Sequence, residues 1–169
     1  MSERSPAPGG LELVEALVNT LLDIETGADS LDTPEVRERF GLTEDDLPAA
    51  RELRESLRAT LLAHAGHPPH RPVTPLGELL AAAPLVVAVD PADGDAALVP
   101  ARGGTLTARV AAAVAEALVD GTWTRFKACE AADCHWAYYD RSPGGRGRWC
   151  SMQVCGARAK MRRYRAKGA

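Results

Sequence analysis

The sequence predicts an α+β protein: a mainly helical N-terminal domain with a β-hairpin, followed by a small β-hairpin plus α-helix module. Three observations predict it. Apolar residues recur at three- and four-residue spacing through most of residues 11–121, the mark of helices with one buried face. That period gives way to two short apolar runs over residues 85–99. All four cysteines, and seven of the eight aromatic residues, lie beyond residue 122, with Phe40 the exception. A change of composition this sharp divides the chain into residues 1–10, a disordered start rich in Pro and Gly, residues 11–121, and residues 122–169.

In order along the chain, residues 11–25 read as an amphipathic helix with Leu11, Val14, Leu17, Val18, Leu21 and Leu22 on its stripe. Asn19 and Thr20 interrupt the stripe, at the border of the core, where Asn can bond a neighbouring loop. Thr33-Pro34 is a cap followed by proline at the first helical position, and Gly41 closes that short helix. The longest helix runs over residues 48–65, with Ala50, Leu53, Leu57 and Leu61 inside. Arg51, Glu55 and Arg58 fall largely outside this stripe and read as a solvated face with weak ion pairs.

Residues 66–75 hold four prolines and read as a loop. His64, His67 and His70 are spaced by three there, but Pro68 and Pro69 prevent the continuous helix that would aim them at one metal, so they read as solvent-exposed. Thr74-Pro75 opens another short helix, to about residue 83. The apolar runs 85–89 and 96–99, joined by Pro91-Ala92-Asp93-Gly94-Asp95, read as a β-hairpin. Thr105 or Thr107 then caps a helix through Val119 that Gly121 ends.

Charge is divided along the chain as unevenly as composition. The net charge is −3. From Trp123 onward there are eleven Lys and Arg against three Asp and Glu, a net of +8, whereas residues 1–122 carry nine against twenty, a net of −11. A polyanion therefore meets an attractive face on an acidic protein, and the acidic part is a rival partner for the same basic residues. Residues 1–10 contain no apolar signal region and no run is long enough to span a membrane, which leads to the expectation of a cytoplasmic protein with no membrane partner. The excess of Arg over Lys, seventeen to three, together with abundant Ala, suggests a GC-rich bacterial source.

Cys129, Cys134, Cys150 and Cys155 form two C-x4-C pairs. In a reducing compartment, four paired cysteines point to a closed metal site rather than to disulfides, and the ligand type points to Zn2+. His135, next to Cys134, is the competing ligand. Two adjacent residues rarely reach one metal without strain, so the all-cysteine set is preferred. Fewer than fifty residues bury little core, so bound metal would supply much of the module's folding free energy.

Within the module, Trp136, Tyr138, Tyr139 and Trp149 flank the turn Ser142-Pro143-Gly144-Gly145, which reads as a hairpin with Arg146 and Arg148 on its returning limb. The aromatics read as a small core. Ser151 caps a final helix whose Val154, Ala157, Met161 and Tyr164 form an apolar edge for docking on the hairpin. Arg158, Arg162 and Arg165 line one flank, and Lys160, Arg163 and Lys167 the other. Such a helix can pair phosphates, and the expected nucleic-acid contacts are Arg146, Arg148, Arg158, Lys160, Arg162, Arg163 and Arg165.

Phe126-Lys127-Ala128-Cys129, Cys134-His135-Trp136, Tyr139-Asp140-Arg141-Ser142, Arg148-Trp149-Cys150-Ser151-Met152 and Cys155-Gly156-Ala157-Arg158-Ala159-Lys160 together resemble the CGNR zinc-finger family. Ala157 stands where the motif has its Asn. That leaves the four ligands intact but removes any polar contact the Asn makes. Leu17-Val18-Asn19-Thr20, Asp29-Ser30-Leu31 and Leu53-Arg54-Glu55-Ser56-Leu57-Arg58 resemble the ABATE domain that commonly precedes this finger. The pairing implies a bacterial stress-induced transcription regulator that contacts DNA through the finger, with a small-molecule effector or protein partner at the N-terminal domain.

Two other classes remain. One is an interaction module whose basic helix docks on an acidic protein surface. The other is an enzyme, but the sequence has no phosphate-cradling glycine loop, no His-x-Glu with Cys-x-x-Cys, and no nucleophile elbow. Metal ligation would make the thiolate of a Cys134–His135 pair structural, so the expectation is no enzyme.

Overall fold

The computed structural model describes residues 5–167. Its helices are α1 (Leu11–Val18), α2 (Pro34–Phe40), α3 (Leu47–His64), α4 (Leu76–Leu80), α5 (Leu106–Val119) and α6 (Ala157–Lys167). Two antiparallel hairpins accompany them: β1 (Leu85–Val89) with β2 (Ala96–Pro100), and β3 (Phe126–Ala128) with β4 (Ala137–Tyr139). The α+β expectation stands.

α3 is the central strut. Leu53, Leu57, Leu61 and Leu62 face α1 and α5 in the main core, which α2 closes with Phe40. Phe126, Ala128 and Ala137 of the second hairpin belong to this same core. The cysteine-bearing segment is therefore seated on α3, not an independent unit. A second, smaller core of Cys129, Ala131 and Tyr138 lies beyond the hairpin with Cys155, and Trp149 packs against it.

Several local expectations are corrected. α1 ends at Val18, seven residues early, because Asn19 and Thr20 have partners a helix would not allow them. The Asn19 amide donates to the Ala137 carbonyl (3.1 Å) and accepts from the Ala137 N–H (2.8 Å), taking the place of a neighbouring strand beside β4. Thr20 donates to the Leu17 carbonyl, and Leu21 then bridges to Asp29. Leu22 lies exposed outside the core. Expected disorder over residues 1–10 concerns residues 1–4, outside the described range, and residues 5–10, which are tied down. Ala7 is buried, its N–H bonds Glu15 Oε2 (2.7 Å), and Arg141 donates to the carbonyls of Ser5 and Pro6. α4 stops at Leu80.

The larger correction concerns α3. Two of the three charges expected in solvent are buried: Glu55 is 2 % and Arg58 0 % exposed, with Arg54 at 4 % beside them, while Arg51 stays half-exposed. Asp29 Oδ2 accepts from Arg54 Nη1 (2.7 Å), Arg54 Nε donates to Glu55 (2.8 Å), and Arg58 Nε donates to the other Glu55 oxygen (3.1 Å). Arg51, the outermost of the set, bonds Asp29 and Asp32. Arg58 uses its two remaining nitrogens on the carbonyls of Val18 and His135, both at 2.8 Å. Heptad-like spacing sees only one helix, whereas α3 is surrounded by α1, α4, α5 and β3.

The proline-rich segment 66–75 closes the remaining side. Ser56 holds it through the Thr74 carbonyl (2.7 Å), and His70 Nε2 reaches Glu55 Oε2 (2.9 Å). Burial opposes the Glu55 charge, but the His70 bond and the fields of Arg58 and Arg54 prevail and hold its carboxyl down to about 2. His64 bonds the Phe126 carbonyl (2.7 Å) and sets its ring edge-on to Trp123, while His67 lies 3.2 Å from Glu130. The three histidines expected in solvent thus join α3 and its following loop to each other and to the cysteine segment.

Arg58→Met should destabilise the chain by roughly 3–5 kcal/mol, because it leaves Glu55 and two carbonyls short of a buried partner. The urea midpoint followed by tryptophan fluorescence measures this. Glu55 has a lowered folded-state pKa, so its stabilisation exists only while it is ionised. The stability gap between wild type and Glu55→Gln should be wide at neutral pH and narrow as pH falls from 4.5 toward about 2.

Candidate metal centre

The four cysteines arrive by three different routes. Cys129 follows β3, and its N–H bonds the Trp136 carbonyl (2.9 Å), extending the hairpin by one rung. A tight turn then carries Cys134 back: the N–H groups of Cys134 and His135 both reach the Ala131 carbonyl. His135 adopts a left-handed conformation, φ 48°, which turns its carbonyl toward Arg58. Among non-glycine residues His is enriched in this region.

Cys150 is delivered by the segment after β4, and Asp140 is what folds that segment. Its carboxylate accepts from Ser142 N–H (3.0 Å), Lys127 Nζ (2.9 Å) and Gly147 N–H (2.7 Å). Burial opposes its charge, yet the bonds from Ser142, Lys127 and Gly147 hold its carboxyl far below the usual range. Gly147 is required by proximity, since a Cβ there would stand 2.7 Å from Asp140 Oδ1. The Tyr138 hydroxyl donates to the Gly147 carbonyl (2.7 Å), and the Glu130 N–H to the Arg148 carbonyl (3.1 Å). Ser142-Pro143-Gly144-Gly145 is therefore a loop after β4, and the hairpin's two limbs are β3 and β4. Arg146 and Arg148 do not lie on a returning strand.

Cys155 comes from a widened turn. Met152–Gly156 is π-helical, with the Gly156 N–H on the Ser151 carbonyl five residues back (2.9 Å), and Ser151 Oγ caps it through the Val154 N–H. The extra residue per turn swings Cys155 inward before α6 begins.

All four Sγ atoms lie within 4.8 Å of one another, with Cys134–Cys150 at 3.5 Å and Cys150–Cys155 at 3.6 Å. A tetrahedron of thiolates about 2.3 Å from a central ion has edges of about 3.8 Å, so this set fits a metal ion. Bonds from Cys134 and Cys150 hold the Cys129 thiol down to about 2. The Cys129 sulfur in turn pushes Cys134 up to about 12, the Cys129 and Cys134 sulfurs raise Cys150, and burial, then the Cys129 charge, raises Cys155. Thiols packed this tightly resist carrying several charges together without a cation between them. His135 lies outside the group, with its Nδ1 on the Cys129 carbonyl (3.0 Å).

The other expected site residues are dispersed around this centre. Arg148 bonds Glu130 Oε2 (2.7 Å) and stacks over Trp149. Arg158 and Arg162 approach Asp133 at 3.4 and 4.0 Å. Arg146 is exposed in the loop after β4, and Lys160, Arg163 and Arg165 have no ion-pair partner among the described residues. α6 buries none of its residues, so the expected docking on the hairpin is overturned: Val154 is 43 %, Met161 52 % and Tyr164 77 % exposed. The hairpin's apolar side is already covered by α3, which leaves the helix no floor.

Residues 11–121 match the family described as ABATE, "Putative stress-induced transcription regulator". The chain belongs to the ABATE family. Residues 125–168 match the CGNR zinc finger. No curated protein matches the chain. The two domains meet through Asn19, Arg58, His64 and His67 of the ABATE part, none of which spacing alone marked as touching the finger. Asn19 left a signal as a polar break in an apolar stripe, as did the unbroken charged run Arg54-Glu55 on a helix that must also be core.

Since the finger's hairpin completes the ABATE core, chelating the metal should lower the thermal midpoint of the whole chain in one transition. Circular dichroism at helix wavelengths and tryptophan fluorescence should coincide. Metal affinity should fall as pH falls, because each thiol must lose its proton to bind. Competition with a chromophoric chelator measures it.

Proposed function

We propose that the chain is a zinc-bound transcription regulator that acts by binding rather than catalysis, in the cytoplasm, and contacts DNA through α6. Zn2+ suits the centre because four thiolates in a closed tetrahedron are its structural ligand set. Cys129, Cys134, Cys150 and Cys155 would hold it, and the ion would supply folding free energy and no reaction.

The observation that carries the DNA reading is α6 itself. It is an eleven-residue helix with no buried residue, bearing Arg158, Lys160, Arg162, Arg163, Arg165 and Lys167, and following directly on the π-helical turn that carries Cys155. A helix so exposed reaches phosphates without rearrangement, and Arg pairs them bidentately. Arg146 and Arg148 extend the basic surface from the finger's loop, though Arg148 must then share its guanidinium with Glu130.

A second reading is favoured by one specific observation, the exposed apolar edge of Val154, Met161 and Tyr164, which phosphate contacts do not use. On that reading α6 docks on an acidic protein surface.

DNA binding by the zinc-loaded full chain, followed by fluorescence anisotropy, should weaken with added salt. Replacing Lys160, Arg163 and Lys167 by Ala should weaken it further and lower the salt slope by about one unit for each phosphate no longer neutralised. Binding that ignores these substitutions, or a preference for heparin over every DNA tested, speaks against the reading. One zinc per chain by elemental analysis, absent in Cys150→Ser, tests the metal.

A further inference from the structure

Two exposed apolar surfaces have no cover among the described residues, and they match each other. The first is a cleft of about 710 Å3 between the β1–β2 hairpin and α5, floored by Val87, Leu98, Ala112 and Val119. Val87 is 67 % and Val119 77 % exposed. Its rim is acidic. Glu116, whose carboxylate also accepts from the Gly10 N–H (3.1 Å), and Asp120 line it on the α5 side, Asp120 following the helix's last turn, where the backbone carbonyls add negative potential. Beyond Ala96, another lining residue, the hairpin tip carries exposed Asp90, Asp93 and Asp95. Among the described residues the one lining cation, Arg109, is occupied with the Phe40 carbonyl.

The second surface is α6. Val154, Ala157 and Met161 form an apolar furrow flanked by Arg158, Arg162 and Arg165. An apolar cleft with an acidic rim is the complement of an amphipathic basic helix, which binds such grooves by its apolar face while its cations pair along the edge.

We propose that α6 of one chain docks by this furrow in the β1–β2/α5 cleft of a second copy, giving a reciprocal dimer. Each copy supplies one helix and one groove, so a two-fold arrangement makes the same junction twice and covers both exposed surfaces. A small molecule in the cleft would leave the helix edge in water. The flank of Lys160, Arg163 and Lys167 lies on the other side of the apolar edge and stays available to phosphates. The dimer does not depend on DNA binding.

Sedimentation equilibrium of the metal-loaded full chain tests this. The expected result is a dimer that weakens with salt, as screened charge pairs require. Val87→Asp and Met161→Asp should each weaken dimerisation by at least about tenfold, the effect of removing one anchor from the centre of an interface. Both side chains face solvent in the single chain, so metal content and circular dichroism should not change. Mixing the two variants should partly restore association, since one retains an intact helix and the other an intact cleft. A wild type that stays monomeric, a dimer that survives both substitutions, or a mixture that does not recover each overturns the proposal. DNA affinity measured on the same variants is a separate readout, so failure of one reading leaves the other standing.

Discussion

The rest of the structure depends on one buried guanidinium. Arg58 lies fully inside the protein, and its three nitrogens serve three pieces of chain that are distant in sequence: the end of α1 at Val18, its own helix at Glu55, and the metal knuckle at His135. A buried cation is costly unless paired and hydrogen-bonded, and here both conditions are met. A shift of α1, α3 or the finger against the other two would strand polar groups away from water.

Around that point the finger and the helical domain share one core. Asn19 acts as a strand edge for β4, His64 caps the Phe126 carbonyl, and Phe126 fills the core beneath. This seating places the first cysteine pair, because Cys129 and Cys134 grow from a hairpin packed on α3. Asp140 does the same for the second cysteine pair by anchoring the loop that returns to Cys150. The finger thus gives up its apolar face to α3 and leaves α6 free of the body, which makes the helix available to a partner.

The placement of charge follows the same logic. The acidic helical domain and the basic finger do not neutralise each other through α6, which among the described residues pairs only with Asp133, an acid of the finger itself. The basic and acidic surfaces stay separate. That separation lets a polyanion, a second copy, or both in turn meet the helix without first breaking a tie to the acidic domain.

Much of this was legible in the sequence. The four cysteines declared their grouping by type and number, the β1–β2 hairpin by its change of period, and α2 and α5 by Pro34, Gly41 and Thr105, because these signals act within a few residues. What lay beyond local reading was the partnership of polar groups. Arg58, Glu55 and His70 sit at positions that one helix would leave in solvent, and nothing in their spacing reports that four other elements surround that helix. The edge of α6 failed in the opposite direction: its apolar spacing is genuine, but the surface it would have used was taken by α3. Sequence by itself determined which residues could ligate a metal and where helices could begin and stop, since those depend on side-chain chemistry and local backbone sterics. Which charges are buried and which apolar edge is left uncovered were decided only by the tertiary structure, because burial depends on what packs around each element.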